Sequence, residues 1–182
     1  MCELLAMSAS RPARLTVSLR TLASHGAPDA ASPDGWGVAF YQGDHVVLHR
    51  EAAPAGDSDL VRELEAGGPS TPLALSHIRR ATQGAVTLAN TQPFVRELAG
   101  RTHVFAHNGN LPGVLERTLM PASRYRPEGQ TDSERVFCDL MERLGALWNG
   151  AFVPPLQDRL SALAAFAAEL RPLGPANFLY AD

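Results

Sequence analysis

Met1-Cys2-Glu3-Leu4-Leu5-Ala6-Met7-Ser8 places a thiol at the second position and follows it at once with a short apolar run. A strand over residues 2 to 8 would hold that thiol inside a fold, although chain termini are usually loose. Once Met1 is removed, Cys2 carries both a thiol and a free α-amine, and the amine can act as base for its own thiol. Taken alone, the same residues read better as a small side chain at a frayed end. The rest of the chain decides between the two.

Working outward, Leu15, Ser18, Leu19 and Leu22 recur at helical spacing up to His25-Gly26. The run Gly35 to Tyr41, the pair Gly43-Asp44 and the run His45 to His49 predict a hairpin. Asp57 is placed to cap a helix through Glu65, which Gly67-Gly68 would end. Leu73 to Ile78 and Thr102 to His107 have the character of buried strands that each run into a polar loop. Thr131-Asp132-Ser133-Glu134 precedes a helix with Val136, Phe137, Leu140, Met141, Leu144 and Trp148 on one side. After Pro154-Pro155, the residues Leu156, Leu160, Leu163, Ala167 and Leu170 predict a second amphipathic helix, and Asn177 to Asp182 a final strand. With no repeat, charge block or low-complexity linker, residues 1–182 read as one α+β domain.

Composition narrows the function. The 182 residues are 45% hydrophobic, enough for a core that buries roughly 70% of the unfolded surface. Sixteen basic against 19 acidic residues give a net charge of -3, which offers nothing to nucleic acid or to an anionic membrane. No apolar run approaches the ~20 residues of a membrane span, and the start has no basic leader, so a cytoplasmic location is expected. Every basic residue is Arg. That removes a phosphate-loop lysine, a kinase lysine and a pyridoxal Schiff base. Cys2 and Cys138 form no Cys-x-x-Cys pair, and His25, His45, His49 and His103 lack metal-ligand spacing. Those four histidines are expected on the surface or in loops, and neither a metal nor a cofactor is expected. No Gly-x-Ser-x-Gly elbow is present.

Beside Cys2, three further clusters sit just beyond strand ends, where scaffolds present reactive groups. In Ser76-His77-Ile78-Arg79-Arg80-Ala81-Thr82-Gln83-Gly84, strand alternation sends Arg79 and Arg80 to opposite faces, and an inward guanidinium suits a carboxylate. In Phe105-Ala106-His107-Asn108-Gly109-Asn110-Leu111, an Asn amide and a Gly N–H can donate together to an oxyanion; the pair is also a common turn. In Gln130-Thr131-Asp132-Ser133-Glu134, a helix cap is the simplest reading, with Asp132 able to face an ammonium. His77 and His107 are expected to support these clusters by hydrogen bonding, and Cys138 to be a core thiol.

In order and combination, these clusters and Asn90-Thr91-Gln92-Pro93-Phe94 resemble the class-II glutamine amidotransferases, which are N-terminal nucleophile hydrolases. Asp34-Gly35-Trp36-Gly37 and the opening residues look most like the small stand-alone members without a synthase domain. The resemblance implies a four-layer αββα sandwich. It implies Cys2 as nucleophile, Asn108 and the Gly109 N–H as the oxyanion hole, Arg79 and Thr82 on the substrate's carboxylate side, and Asp132 on its α-ammonium. The implied reaction is hydrolysis of the glutamine side-chain amide through a γ-glutamyl thioester. Alternatives are a γ-glutamyl peptide or amine hydrolase and a silent ligand-binding module. A separate acceptor or synthase chain and a homo-oligomer are compatible with it.

Four positions depart from the wider family. Arg80 stands where an aromatic residue is frequent, Gln83 and Gln92 where His is common, and Pro33-Asp34 where an Arg precedes the glycine-rich segment. The resemblance also carries the expectation of a chain truncated at its C-terminus, with the final strand near Phe178 lacking its hairpin partner.

Overall fold

Two antiparallel sheets are stacked between helices in a computed structural model that describes residues 2–15, 21, 34–116, 123–148 and 152–182. The first sheet contains β1 (Glu3–Ala13), β2 (Gly35–Gln42), β3 (His45–Glu51) and β4 (Thr71–Arg79), in the order β1-β4-β2-β3. The second contains β5 (Phe94–Leu98), β6 (Arg101–Gly109) and β7 (Ala176–Ala181), in that order. Helix α1 (Asp59–Gly67) lies between β3 and β4; a single turn, α2 (Pro112–Leu115), follows β6; α3 (Asp132–Gly145) and α4 (Leu156–Leu170) precede β7.

Strand alternation builds the layers. Trp36, Val38 and Phe40 of β2, with Ala74 and Ile78 of β4, face Val61 and Leu64 of α1. Ala39, Tyr41 and Leu75 point the other way and meet Val104 of β6 and Ala181 of β7. The opposite face of the second sheet, Phe94, Leu98 and Phe105, packs on Phe137, Leu140, Met141 and Leu144 of α3 and on Phe166 and Leu170 of α4. Helix, sheet, sheet, helices is the expected αββα sandwich.

Several boundaries differ from the sequence reading. Strand β1 runs on to Ala13, with a register shift after Ser8, and the helix read from Leu15 to His25 falls almost wholly outside the described residues. Helix α1 is capped by Ser58, whose hydroxyl accepts the Val61 N–H at 3.1 Å, rather than by Asp57. Strand β5 escaped prediction because Arg96 and Glu97 interrupt its apolar pattern. Its turn to β6, Ala99-Gly100, has φ of 53° and 76°, yet Ala is a poor signal for a turn that wants left-handed residues. In α4, Phe166 and Leu170 are buried, but Leu156 and Leu160 of the predicted stripe are exposed. Strand β7 is paired along one edge, by β6, and among the described residues no strand lies on its other edge.

His103 is a correction: it is wholly buried, with Nδ1 2.5 Å from the Tyr180 hydroxyl and its ring edge-on to Trp148. Its position on β6, two residues before Phe105, puts it on the helix-facing side. Burial pushes its pKa down to about 4, against a smaller opposing effect of Asp182. His77 on β4 is also wholly buried, and desolvation, with help from His107 and Arg79, pushes it down to about 3.

Both shifts tie stability to pH. The unfolded chain takes up protons on these histidines below the ordinary value of 6.5, while the folded chain does so only near 4 and 3. Stability is therefore full above 6.5 and is lost progressively as the pH falls toward those values. Urea melts between pH 7 and 4 should record that loss, and His77→Gln should make the dependence shallower. A second expectation concerns Phe105, wholly buried and stacked 5.2 Å from Phe137 and 5.5 Å from Phe178: Phe105→Ala should cost about 3–5 kcal/mol in the same melts at pH 7.

Candidate active site

Cys2 immediately precedes β1, whose pairing with β4 sets Glu3 opposite Ile78. The next residues of β4 therefore come to the thiol. The Arg80 N–H donates to Sγ at 3.2 Å, and the thiol hydrogen reaches the Arg80 carbonyl at 3.4 Å. Across the gap between the sheets, Nδ2 of Asn108, 106 residues away in sequence, donates to the Cys2 carbonyl at 2.7 Å. Each sheet thus supplies one side of the same small region.

Arg79 ends β4 opposite Gly35 of β2 and is almost completely buried. Its Nη2 donates to the carbonyls of Gln83 at 3.0 Å and Gly84 at 3.2 Å, while Nη1 is buried without a partner. A guanidinium nitrogen left so is costly unless something anionic can meet it. Burial lowers the pKa of Arg79, opposed by Asp34 and Cys2; an arginine nonetheless keeps its charge in a protein. Asp34 fixes the turn beyond the strand by accepting the Ala81 N–H at 2.6 Å.

The second half of the site is built by β6 and the head of α3. Asp132 is the first residue of α3 and is buried, with Oδ2 accepting the Leu111 N–H at 2.7 Å and Oδ1 the Ser133 N–H at 2.8 Å. Thr131 is the cap: its hydroxyl accepts the Glu134 N–H at 3.2 Å. Glu134 in turn accepts the N–H groups of Glu128 and Gly129 and pairs with Arg96, which closes the turn leading into the helix. Nδ1 of His107 lies 2.8 Å from the Ser133 hydroxyl. Burial lowers the pKa of His107, and Asp132 opposes that effect. Gly109 admits no side chain: a Cβ there would lie 2.1 Å from the Pro175 carbonyl oxygen and 2.5 Å from Nε2 of His107.

Five of the six residues expected from the sequence, Cys2, Arg79, Thr82, Gly109 and Asp132, line one cleft that encloses about 330 Å³ of space open to solvent. Asn108 is joined to it through the Cys2 carbonyl. Sequence reasoning missed Ser133 and Gln92, which also line the cleft. Gln92 acts as a piece of strand: its Oε1 accepts the His107 N–H at 2.6 Å and its Nε2 donates to the His107 carbonyl at 3.1 Å. Its place beside Pro93, within a family motif, was the available signal. Gln83, another departure from the family, donates from Nε2 to Oδ1 of Asn110 at 2.9 Å and ties the segment after β4 to the end of β6.

Known proteins resemble the chain along its whole length. The model of the class-II glutamine amidotransferases matches residues 1–182. The Escherichia coli protein YafJ, which bears a glutamine amidotransferase name, is 35% identical over all of this chain, which spans 70% of YafJ. A Haemophilus influenzae protein of similar name is 35% identical over 79% of the chain and 48% of its own length. Among solved structures, a Pseudomonas aeruginosa protein described as a predicted glutamine amidotransferase superposes on the whole chain with a TM-score of 0.70 and 33% identity, over 69% of its length. Glutamine phosphoribosylpyrophosphate amidotransferase from Bacillus subtilis, at 19% identity and a TM-score of 0.63, shares the fold, and the chain spans 35% of it.

The two thiols should behave differently. Cys2 is half-buried at the cleft, whereas Cys138 is buried in α3 and its thiol is pushed up to about 11, chiefly by desolvation. The thiolate is the reacting form. Brief exposure of the folded protein to iodoacetamide near pH 8 should therefore give a single adduct, and peptide mass spectrometry should locate it on Cys2.

Proposed function

The chain belongs to the class-II glutamine amidotransferases, and on that premise we propose that it hydrolyses the side-chain amide of glutamine through a γ-glutamyl thioester on Cys2, yielding glutamate and ammonia. The observation that carries this reading is the lining of the cleft: a thiol, a buried guanidinium with a free nitrogen, and a buried carboxylate within one small space. A glutamine head group carries the complementary carboxylate and ammonium, and its amide must then reach the thiol.

In the proposed reaction, Arg79 meets the α-carboxylate through Nη1, with Thr82 beside it, and Asp132 meets the α-ammonium. The α-amine of Cys2, free after removal of Met1, accepts the thiol proton, and Sγ attacks the amide carbon. The oxygen of the tetrahedral intermediate gains negative charge and takes hydrogen bonds from Asn108 Nδ2 and the Gly109 N–H. The ammonium of Cys2 returns its proton to the nitrogen, the C–N bond breaks and ammonia leaves. Water then adds to the thioester by the same route in reverse, releasing glutamate and the thiol. Asn108 already presents Nδ2 at the carbonyl oxygen of Cys2, the residue whose sulfur attacks, which supports its role as a donor to the oxygen on the attacked carbon.

The test is ammonia release from glutamine by protein of known intact mass, beside amine release from γ-glutamyl amines. Protein lacking Met1 should be active, with a rate that rises with pH around the reference α-amine range of about 7.7–8.0. Protein retaining Met1 should be inactive, because a peptide nitrogen cannot take the thiol proton. Full activity with Met1 in place would overturn the mechanism, and a preference for bulkier γ-glutamyl amines would reassign the substrate. Cys2→Ser should lose most turnover yet bind glutamine. Arg79→Lys keeps charge but loses the fork, and should weaken glutamine binding by about 1.5–3 kcal/mol. Arg80→Lys should cost much less, and equal losses at both would reject the assignment of Arg79.

A further inference from the structure

Asn90 ends a single turn (Leu88–Asn90) between β4 and β5 and is wholly buried. Both hydrogens of its amide are committed, one to the Ala85 carbonyl at 2.9 Å and one to Oε1 of Gln130 at 3.0 Å. Its Oδ1 accepts the main-chain N–H of Gln130 at 2.8 Å. These partners come from two segments that run into the lining of the cleft, at Arg79–Gln83 and at Thr131–Ser133. Ala85 follows Gln83 and Gly84, whose carbonyls hold the Arg79 guanidinium. Gln130 directly precedes Thr131, the cap of α3, and Asp132.

Two glycines give the amide its room. A Cβ on Gly129 would lie 2.1 Å from Asn90 Oδ1, and one on Gly84, whose φ is +74°, would lie 2.8 Å from Nδ2. Three hydrogen bonds to a wholly buried side chain leave Asn90 little freedom, so the two segments are held to each other through a short, stiff link.

We propose that Asn90 is a positioning residue that sets the separation between the Arg79 guanidinium and the Asp132 carboxylate, and thereby makes the cleft selective for substrates carrying a carboxylate and an ammonium on one carbon. The proposal rests on the reading above, in which those two groups grip the head of the substrate. Asn90 does not line the cleft and has no donor left to offer a ligand, so its effect passes through Arg79 and Asp132. A charged pair of anchors tolerates little error in spacing, because the carboxylate and the ammonium of the substrate sit on one carbon at a fixed separation and each must stay within hydrogen-bond reach.

The test compares native protein with Asn90→Ala and Gln130→Ala on two amides: glutamine, and its analogue lacking the α-amine. Gln130 is exposed, so its truncation removes one of the three bonds with little risk to folding. For glutamine, KM should rise about tenfold in Asn90→Ala, which removes all three bonds of the link, and about threefold in Gln130→Ala, which removes one, with kcat within about twofold of native. For the amine-free analogue, which needs only the Arg79 end, KM should change by less than about twofold. Alkylation of Cys2 by iodoacetamide should proceed at the native rate in both variants. Equal loss on the two amides, or slowed alkylation in step with the rise in KM, overturns the proposal. If Asn90→Ala does not fold, a native KM for glutamine in Gln130→Ala overturns it. Native protein that releases no ammonia from glutamine rejects the functional reading, and the proposal falls with it.

Discussion

Strand β4 is hydrogen-bonded along both edges, to β1 through pairs such as Glu3 with Ile78 and to β2 through pairs such as Gly35 with Arg79. A one-residue slip on either side would turn Arg79 and His77 away from the second sheet and bring Ile78 out of the core beneath α1. Both registers are thus enforced by burial on both faces. Cys2 and Arg79 owe their meeting to this double constraint, since neither is tied to the other by any local contact in sequence. The turn beyond the strand is then fixed by Asp34, so the segment from Arg80 onward leaves in one direction only.

Once that register is set, the cleft is finished by buried side-chain amides and carboxylates that replace missing backbone partners. Gln92 extends the ladder of β6 past the start of β5 by serving both polar groups of His107. Glu134, nearly inaccessible, satisfies two N–H groups of the turn before α3 and is neutralised by Arg96. Asn90 does the same between the two segments that flank the cleft. Each is a polar group that would be expensive to bury alone and is stabilising because its partners are complete. The consequence is rigidity: Arg79 at a strand end and Asp132 at a helix head adjoin segments that Asn90 links to each other.

The departures from the family pattern acquire local roles in this setting. Gln83 bridges to Asn110, Gln92 serves as a strand surrogate, and Asp34 accepts the Ala81 N–H. Glutamine offers a donor and an acceptor at once without titrating, so these contacts hold regardless of pH over a range where histidine would change charge.

The core, and most of the residues that line the cleft, were legible in the sequence. Short apolar runs in β2, β4 and β6, buried on both faces, and the helical stripe of α3 marked the layers, because burial of a regular element leaves its pattern in the sequence. Cys2, Arg79, Asn108, Gly109 and Asp132 could be singled out from their chemistry and order. Other features were decided only in three dimensions. Strand β5 is apolar too briefly to announce itself, and its turn uses an Ala where the φ values call for Gly or Asn. His103 carries no local mark of burial; stacking against Trp148 and bonding to Tyr180 put it inside. Gln92, Ser133 and Asn90 are ordinary polar residues in sequence, and a hydrogen-bond network between distant segments has no periodic signature. What a residue does through its own chemistry can be read from one dimension, whereas what it does through partners 15 to 40 positions away exists only after the sheets are paired.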